Sequence, residues 1–225
     1  MRVLAFSGGK DSMACLHLMA GTLDCAIYVD TGKAYPETKK LVEYASRLVP
    51  MVTVTVDRDE QNSREGVPSD VVPIDYTPFG QLISGSKKVT VQSYLNCCFE
   101  NISIPLLRKA QELGATEIVY GQRSDEQYKS TSTNGAITEG LVRLHPIEDW
   151  TSEEVLEYLA TKMLVPEHFK IKHSSLDCYD CTAFRNVSKD RVAFTQDKYP
   201  EFYAEYSHRL ARVREALRDV LGEEI

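Results

Sequence analysis

Long hydrophobic runs and an excess of basic residues are both missing from this sequence. No stretch of the 225 residues approaches the ~18 consecutive apolar residues that a membrane-spanning helix needs. The formal net charge is −7, so a uniformly basic nucleic-acid-binding face is not expected, although local basic patches are compatible with it. The apolar run at 1–6 is too short for a signal peptide and lacks a small-residue cleavage site. We therefore expect a cytoplasmic protein that does not associate with membranes.

Cysteine is also scarce, with six residues in the whole chain. In a reducing compartment, close-set cysteines more often bind metal or perform redox chemistry than form a disulfide framework. The length and the 43% hydrophobic content suffice for one domain with a full core, with or without a small C-terminal appendage. No internal repeat or low-complexity linker interrupts the chain.

Runs with strand character alternate with segments of helical spacing. The predicted strands are 3–6, 25–29, 51–56, 116–120 and 141–144. Helices are predicted between them, and this alternation indicates βαβ units. We therefore predict an α/β fold, with a doubly wound, mostly parallel sheet that carries helices on both faces. Residues 57–90 show neither the helical nor the strand period of apolar residues and are predicted to form a long loop with at most short elements.

The second half of the chain carries two further helix predictions. Thr151 and Glu154 form a capping box that opens one helix. A charged C-terminal helix is predicted over Pro200–Leu221. Its four arginines, at 209, 212, 214 and 218, would form a solvated face or contact phosphates.

A short polar string, Ser-Gly-Gly-Lys-Asp-Ser, occupies residues 7–12 between the first strand and the first helix. Glycines let backbone N–H groups approach a phosphate, and a helix N-terminus adds the positive end of a dipole. Lys10 supplies a full charge, and the hydroxyls of Ser7 and Ser12 donate further hydrogen bonds. The glycine spacing excludes a Walker A loop. The alternative is an ordinary glycine turn into a capped helix.

The complete string resembles the SGGxDS signature of PP-loop proteins, which include ATP pyrophosphatases, sulfate adenylyltransferase small subunits and sulfonucleotide (PAPS/APS) reductases. Residues 28–38 resemble the reductases' Asp-Thr-Gly and Pro-Glu-Thr segment, and 121–123 resemble their Gly-x-Arg. Residues 144–151 match their Pro-x-x-Asp-Trp lead into a helix. The resemblance implies an adenine nucleotide alpha hydrolase-like PP-loop domain over 1–175, with a C-terminal extension over 176–225.

The resemblance also implies a set of nucleotide-binding residues. They are Ser7, Gly8, Gly9, Lys10, Asp11, Ser12, Asp30, Thr31, Gly32, Gly121 and Arg123. Asp30 would help hold the adenosine, while Lys10 and Arg123 are the electrostatic candidates for catalysis, and no nucleophile is identified. A turn cap for Asp30 and a surface ion pair for Arg123 are the alternatives. The implied ligand is ATP or adenylyl sulfate, with Mg²⁺ if it is ATP.

Two cysteine pairs add a second implied site. Adjacent Cys97 and Cys98, a long gap, and Cys178-x-x-Cys181 resemble the motif by which adenylyl-sulfate reductases hold a [4Fe–4S] cluster. A zinc site of the same four thiolates is one alternative, and a relic or redox pair formed by the second motif is another. The two other cysteines, Cys15 and Cys25, are predicted to be small core residues.

Three features depart from the reductase pattern. The stretch 99–104, where reductases carry basic residues ahead of a Pro-Leu, has no Lys or Arg. No cysteine follows Cys181, so the reductases' Glu-Cys-Gly-(Leu/Ile)-His nucleophile has no counterpart. The string at 7–12 is intact, as in members that use ATP, whereas the reductases tend to have a degraded one.

The resemblance thus implies a PAPS/APS reductase-family enzyme of sulfur metabolism, served by a thioredoxin-like reductant or a sulfur donor. One alternative is an ATP pyrophosphatase that adenylates a carbonyl of a nucleic acid or small molecule for sulfur or nitrogen insertion. Another is a non-catalytic nucleotide-binding subunit of a modification system. A nucleic-acid partner is not supported by the net charge, and a homo-oligomer is left open.

Overall fold

The computed structural model describes residues 1–85, 88–126, 132–171, 176–185 and 187–222. The strands are β1 Arg2–Ala5, β2 Cys25–Asp30, β3 Met51–Thr55, β4 Val67–Ser69, β5 Val91–Ser93, β6 Glu117–Val119, β7 Ile137–Thr138 and β8 Leu141–Leu144. The helices are α1 Lys10–Met19, α2 Pro36–Ala45, α3 Arg58–Glu65, α4 Pro78–Ser84, α5 Tyr94–Cys98, α6 Ile104–Glu112, α7 Ser152–Ala160, α8 Lys189–Lys198 and α9 Pro200–Leu221. None of the helices so described is both long and apolar enough to cross a membrane.

The main sheet has the order β3-β2-β1-β6-β8-β7. Its neighbouring strands are parallel, except that β7 runs antiparallel to β8. From β1 the chain proceeds outward through β2 and β3, and later returns to the other side of β1 through β6 and β8. The strand order therefore reverses between β1 and β6. The predicted doubly wound, mostly parallel sheet is confirmed.

Helices cover both faces of this sheet. Consecutive residues of β1, Val3 and Leu4, are fully buried and belong to different clusters. Val3 packs in a cluster with Leu106 of α6, while Leu4 shares a cluster with Leu16 of α1 and Leu159 of α7. Since successive strand residues point to opposite faces, a strand covered on both sides becomes a continuous apolar run. This is why the central strands were recognisable in the sequence.

The chain divides into two compact units. The first contains the main sheet with α1, α2, nearly all of α6, and α7. The second contains Thr31–Lys33, Val56–Ile104 and the chain from Cys178 onward, with the parallel pair β4-β5 and α3, α4, α5, α8 and α9. The predicted domain boundary between 175 and 176 stays a prediction.

The segment 57–90 is more ordered than a long loop. It holds α3, β4 and α4, and Asp57 caps α3 with its side chain. The face that α3 buries is polar: Gln61 donates from Nε2 to Oε1 of Gln92 at 3.0 Å, and both residues are buried. A helix that buries amides has no apolar period, so the sequence pattern does not reveal it.

Candidate functional site

Residues 7–12, the phosphate loop, connect the carboxyl end of β1 to α1. In open α/β sheets, ligands bind beyond the carboxyl ends of the strands, where the strand order reverses. Gly8 has a φ of 76°, and a Cβ added to it would lie 2.8 Å from Cγ2 of Thr38. Both the backbone conformation and the close approach of α2 therefore require glycine at this position.

Serine hydroxyls hold the phosphate loop in shape. The N–H of Gly9 donates to Oγ of Ser7 at 3.2 Å, and the hydroxyl of Ser12 donates to the carbonyl of Gly9 at 3.0 Å. The N–H of Ser7 in turn donates to Oγ of Ser12 at 3.3 Å. Because Gly9 brings no side-chain cap to α1, the first N–H groups of that helix are available to an anion.

Cations and carboxylates alternate beside the phosphate loop. Lys10 Nζ lies 3.2 Å from Oδ2 of Asp11. Arg123, whose side chain is 7% exposed, pairs with Asp11 through Nη1 and donates from Nε to Asp125 at 2.9 Å. Burial disfavours the guanidinium charge, but Asp11 and Asp125 outweigh it and raise the pKa of Arg123. An ion pair is thus present in which the guanidinium is buried and the carboxylates of Asp11 and Asp125 are partly exposed, and a ligand anion at Arg123 has to compete with Asp11.

The carboxyl end of β6 lies directly against the start of α1. A Cβ added to Gly121 would lie 2.6 Å from the carbonyl carbon of Asp11 and 2.8 Å from the nitrogen of Ser12. Side-chain carbons do not approach backbone atoms that closely, so only glycine allows this packing. The contact brings Arg123, two residues further on, within reach of Asp11.

The next strand end carries the segment 30–32. Asp30 closes β2 in register with Thr55, and its strand shares a carboxyl edge with β1. Thr31 is buried, and its Oγ1 lies 3.5 Å from Sγ of Cys178. Gly32 has a φ of 74° and so adopts the left-handed conformation that glycine favours. Asp30 therefore lies at the carboxyl edge of the sheet, while Thr31 contacts Cys178, a predicted metal ligand.

Cys97 and Cys98 end α5 and lead directly into a π-helix, Phe99–Ser103. Such π-helical turns are rare and are found frequently at functional sites. Cys97 is buried, and Asn101 donates from Nδ2 to its carbonyl at 2.9 Å while lying 3.7 Å from its sulfur. The π-turn thus places an amide donor beside the first of the predicted ligands.

All four predicted metal ligands lie in one neighbourhood and are free thiols. Burial raises the pKa of Cys98, and the charges of Cys181, Cys97 and Cys178 raise it further, which indicates that the four sulfurs lie in one region of the second unit. Four thiolates suit an iron–sulfur cluster or zinc. Within the residues that the structure describes, no group of three or more His, Cys, Asp or Glu side chains is spaced to hold a metal ion. The donor chemistry fits a four-thiolate group, but the side chains are not closed around one.

Buried charge surrounds the second cysteine motif. Asp180, between the two cysteines, is fully buried and accepts from Arg58 at 2.5 Å and from Arg209. Arg191 donates from Nη1 and Nη2 to the carbonyls of both cysteines of the motif, at 2.9 and 3.0 Å. The three guanidinium groups are each less than a tenth exposed. Burial raises the pKa of Cys97, and the charges of Arg58 and Arg209 oppose this shift without cancelling it.

A family model for the phosphoadenosine phosphosulfate reductase domain matches residues 2–184. The chain belongs to this family. The match spans the phosphate loop and both cysteine pairs, whereas α8 and α9 lie beyond it. No curated protein sequence matches the chain significantly.

Two solved structures are similar at low identity. One is phosphoadenylyl-sulfate (PAPS) reductase from Candida auris as a phosphate complex, at 15% identity and TM-score 0.48, covering 74% of this chain and 75% of that one. The other is a predicted subunit of tRNA methyltransferase from Methanocaldococcus jannaschii, at 17% identity and TM-score 0.40, covering 90% and 91%. Membership of the PAPS reductase domain family comes from the family model.

Several charged residues of this PAPS reductase domain protein were not identified from its sequence. No role was predicted for Arg58, Asp180 or Arg191. For Asp180, its position inside a Cys-x-x-Cys motif could have indicated a role at the predicted metal site. Arg209, predicted on a solvated helix face or at a phosphate, is buried against Asp180, so the prediction of a solvated face is wrong for this residue, while the phosphate contact stays a prediction. Arg218, further along α9, is exposed.

The two remaining cysteines occupy the core of the first unit. Cys15 is fully buried and Cys25 is 3% exposed, which confirms their prediction as small core residues. Burial raises the pKa of the Cys15 thiol to about 12, with a smaller contribution from the charge of Asp11. At neutral pH this thiol is protonated and therefore a poor nucleophile.

Proposed function

We propose that this PAPS reductase domain protein is an enzyme that binds an adenylyl nucleotide, ATP or adenylyl sulfate, and acts in sulfur metabolism. The observation that carries the proposal is the phosphate loop, with its free helix N-terminus and ordered hydroxyls, at the point where the strand order reverses. With ATP, Mg²⁺ would accompany the phosphates. We place this activity in the cytoplasm, which is consistent with six free cysteines.

The side chains of five of the assigned nucleotide-binding residues have specific roles in this proposal. The first N–H groups of α1 and the hydroxyls of Ser7 and Ser12 bind phosphate or sulfate oxygens, and Lys10 neutralises their charge. Asp30, at the neighbouring strand end, helps hold the adenosine. Arg123 meets the anionic end of the nucleotide by exchanging its pairing with Asp11 for a pairing with the ligand.

We further propose that Cys97, Cys98, Cys178 and Cys181 hold a [4Fe–4S] cluster, with zinc as the alternative. The convergence of the four thiols and the buried arginines beside them support this assignment. When bound, a cluster would supply a polarising centre and would anchor the end of α5 to the 178–181 segment. The buried arginines would balance its negative charge, and the amide of Asn101, 3.7 Å from Sγ of Cys97, would donate to that ligand sulfur.

A second candidate, an ATP pyrophosphatase that prepares a carbonyl for sulfur insertion, is favoured by specific observations. The phosphate loop is intact, residues 99–104 carry no cation for a sulfate, and Arg123 is engaged by two carboxylates. Cys15 and Cys25 are buried, and the four other cysteines are assigned as ligands. A thiolate that could attack the sulfur of adenylyl sulfate is therefore not evident, and a thioredoxin-like reductant or a sulfur donor has to act from outside.

Anaerobic incubation of the protein with ATP, adenylyl sulfate or PAPS, with and without thioredoxin, tests both candidates. We expect ATP to bind at least as tightly as adenylyl sulfate, and we expect little sulfite from the isolated chain with thioredoxin. The products AMP, pyrophosphate and sulfite are quantified, with Lys10→Ala as the variant that should lose nucleotide-dependent signals. Robust thioredoxin-dependent sulfite release would instead support the hypothesis that the chain alone reduces adenylyl sulfate or PAPS. Binding without turnover of any nucleotide would show a non-catalytic subunit instead.

A further inference from the structure

A cleft of about 330 Å³ lies on one side of α8, outside the residues that match the family model. Its polar lining consists of Arg185, Ser188, Lys189, Gln196 and Tyr206. We call it the α8 cleft. It starts four residues after the last predicted metal ligand, and none of the residues assigned to nucleotide or metal binding lines it. Its function must therefore be argued from its own side chains.

The charge of the α8 cleft is positive. Among the described residues, the charged side chains that line it are those of the cations Arg185 and Lys189. In the part of the chain that the structure describes, neither cation has a carboxylate within ion-pair distance. In a protein of net charge −7, two unpaired cations in one concave site are a specific arrangement rather than a reflection of composition.

Two residues that carry hydroxyls, Ser188 and Tyr206, line the same cleft. Ser188 is 3% exposed and Tyr206 is 6% exposed, yet neither hydroxyl has a hydrogen-bond partner among the described residues. Ser188 is the N-cap residue of α8, but its side chain accepts no capping hydrogen bond. Neither hydroxyl oxygen is sealed from solvent, so both can donate to a ligand that occupies the cleft.

The start of α8 supplies further donors. The first N–H groups of a helix lack intrahelical acceptors, and here the N-cap side chain does not take them up. Arg185 is held in place from behind, because its own N–H and that of Phe184 donate to the carboxylate of Asp70 at 2.9 and 2.7 Å. The cationic side of the cleft is thus attached to a fixed backbone.

We propose that the α8 cleft binds a small ligand through a tetrahedral oxyanion, a phosphate or sulfate group. Two cations, two hydroxyls and a helix N-terminus offer more donors than the two oxygens of a carboxylate accept, whereas a phosphate or sulfate presents three or four. Val192 and Ala193 add an apolar surface for the rest of the ligand. The proposal is independent of the nucleotide assigned to the phosphate loop.

Site-resolved NMR of the full-length protein tests this without interference from the phosphate loop. Titration with inorganic phosphate, and separately with inorganic sulfate, should produce saturable shifts of the backbone amides of Lys189 and Arg191. Arg185→Ala should weaken this binding about fivefold to tenfold, since it removes a charge-assisted contact at a partly exposed site. Lys198→Ala is the matched control, because it removes a cation from the opposite end of the same helix.

Tyr206→Phe provides a second variant that removes only a hydroxyl and should weaken binding severalfold without loss of fold. Shifts that do not saturate, or that persist unchanged in both Arg185→Ala and Tyr206→Phe, would refute the site. A short single-stranded RNA forms the last arm. If RNA bound far more tightly than inorganic phosphate, and lost that advantage in Arg185→Ala, the small-ligand assignment would be wrong.

Discussion

Replacing Asp180 by Asn removes the buried carboxylate that Arg58 and Arg209 share. Asp180 is fully buried, Arg58 is 2% exposed and Arg209 is 7% exposed, so none of the three charges is screened by water. The amide keeps the size of the side chain but not its charge. In the described structure, Nε and Nη2 of Arg209 already lack hydrogen-bond partners, so this guanidinium depends on Asp180 for its neutralisation.

The expected loss of stability follows from this burial. Removing one partner of a buried ion pair costs about 3–5 kcal/mol, because it leaves an uncompensated buried charge. Here one carboxylate serves two guanidinium groups, so the upper part of that range applies. For a protein of this length the corresponding decrease in melting temperature is about 8–20 °C.

Thermal and urea unfolding of anaerobically purified protein, followed by circular dichroism, measure this effect. Asp59→Asn is the matched control. Its carboxylate pairs with Lys33 at 2.9 Å and also faces Arg209 at 3.7 Å. Because its side chain is 60% exposed, its removal should cost less than about 1 kcal/mol. If Asp180→Asn unfolded as the control does, the buried arginines would be neutralised by another group, and the four thiolates would be the first candidates.

Three further predictions concern the proposed sites. Lys10→Ala should lower nucleotide affinity about tenfold to a hundredfold in calorimetry while the fold is retained, because a charge-assisted contact is lost; unchanged affinity would exclude the phosphate loop as the site. Gly121→Ala should destabilise the protein by about 1–3 kcal/mol in urea unfolding, since its methyl group would overlap the backbone of Asp11; full stability would mean that β6 and α1 separate without cost. Anaerobically purified protein should be brown and contain iron and acid-labile sulfide, which Cys98→Ser should lose and Cys15→Ala should retain; a colourless parent with one zinc would overturn the cluster but keep the four-thiolate site.

Local patterns in the sequence determined the framework of this protein. The central strands β1, β2 and β6 are mostly apolar because both of their faces are covered, while β3 was recognised from its β-branched residues and β8 from its apolar ones. Each of the five was predicted to within about two residues of its ends. The capping box at Thr151 and Glu154 was predicted and is present, because both partners lie within one helical turn. The phosphate loop could also be predicted from the sequence, since the residues that would bind a phosphate are six consecutive ones.

Only the tertiary structure decided how the charges are paired. Arg58 and Asp180 meet across 122 positions of sequence, and Arg123 reaches Asp11 across 112. No local period encodes such a pairing, since it depends on where the fold returns the chain. The helix α3 could not be predicted from the sequence either, because the face that it buries carries amides rather than an apolar stripe. The α8 cleft also depends on the tertiary structure, because the fold brings Arg185 and Tyr206 together with residues of α8 around one cavity. Neither side chain has a hydrogen-bond or ion-pair partner among the described residues.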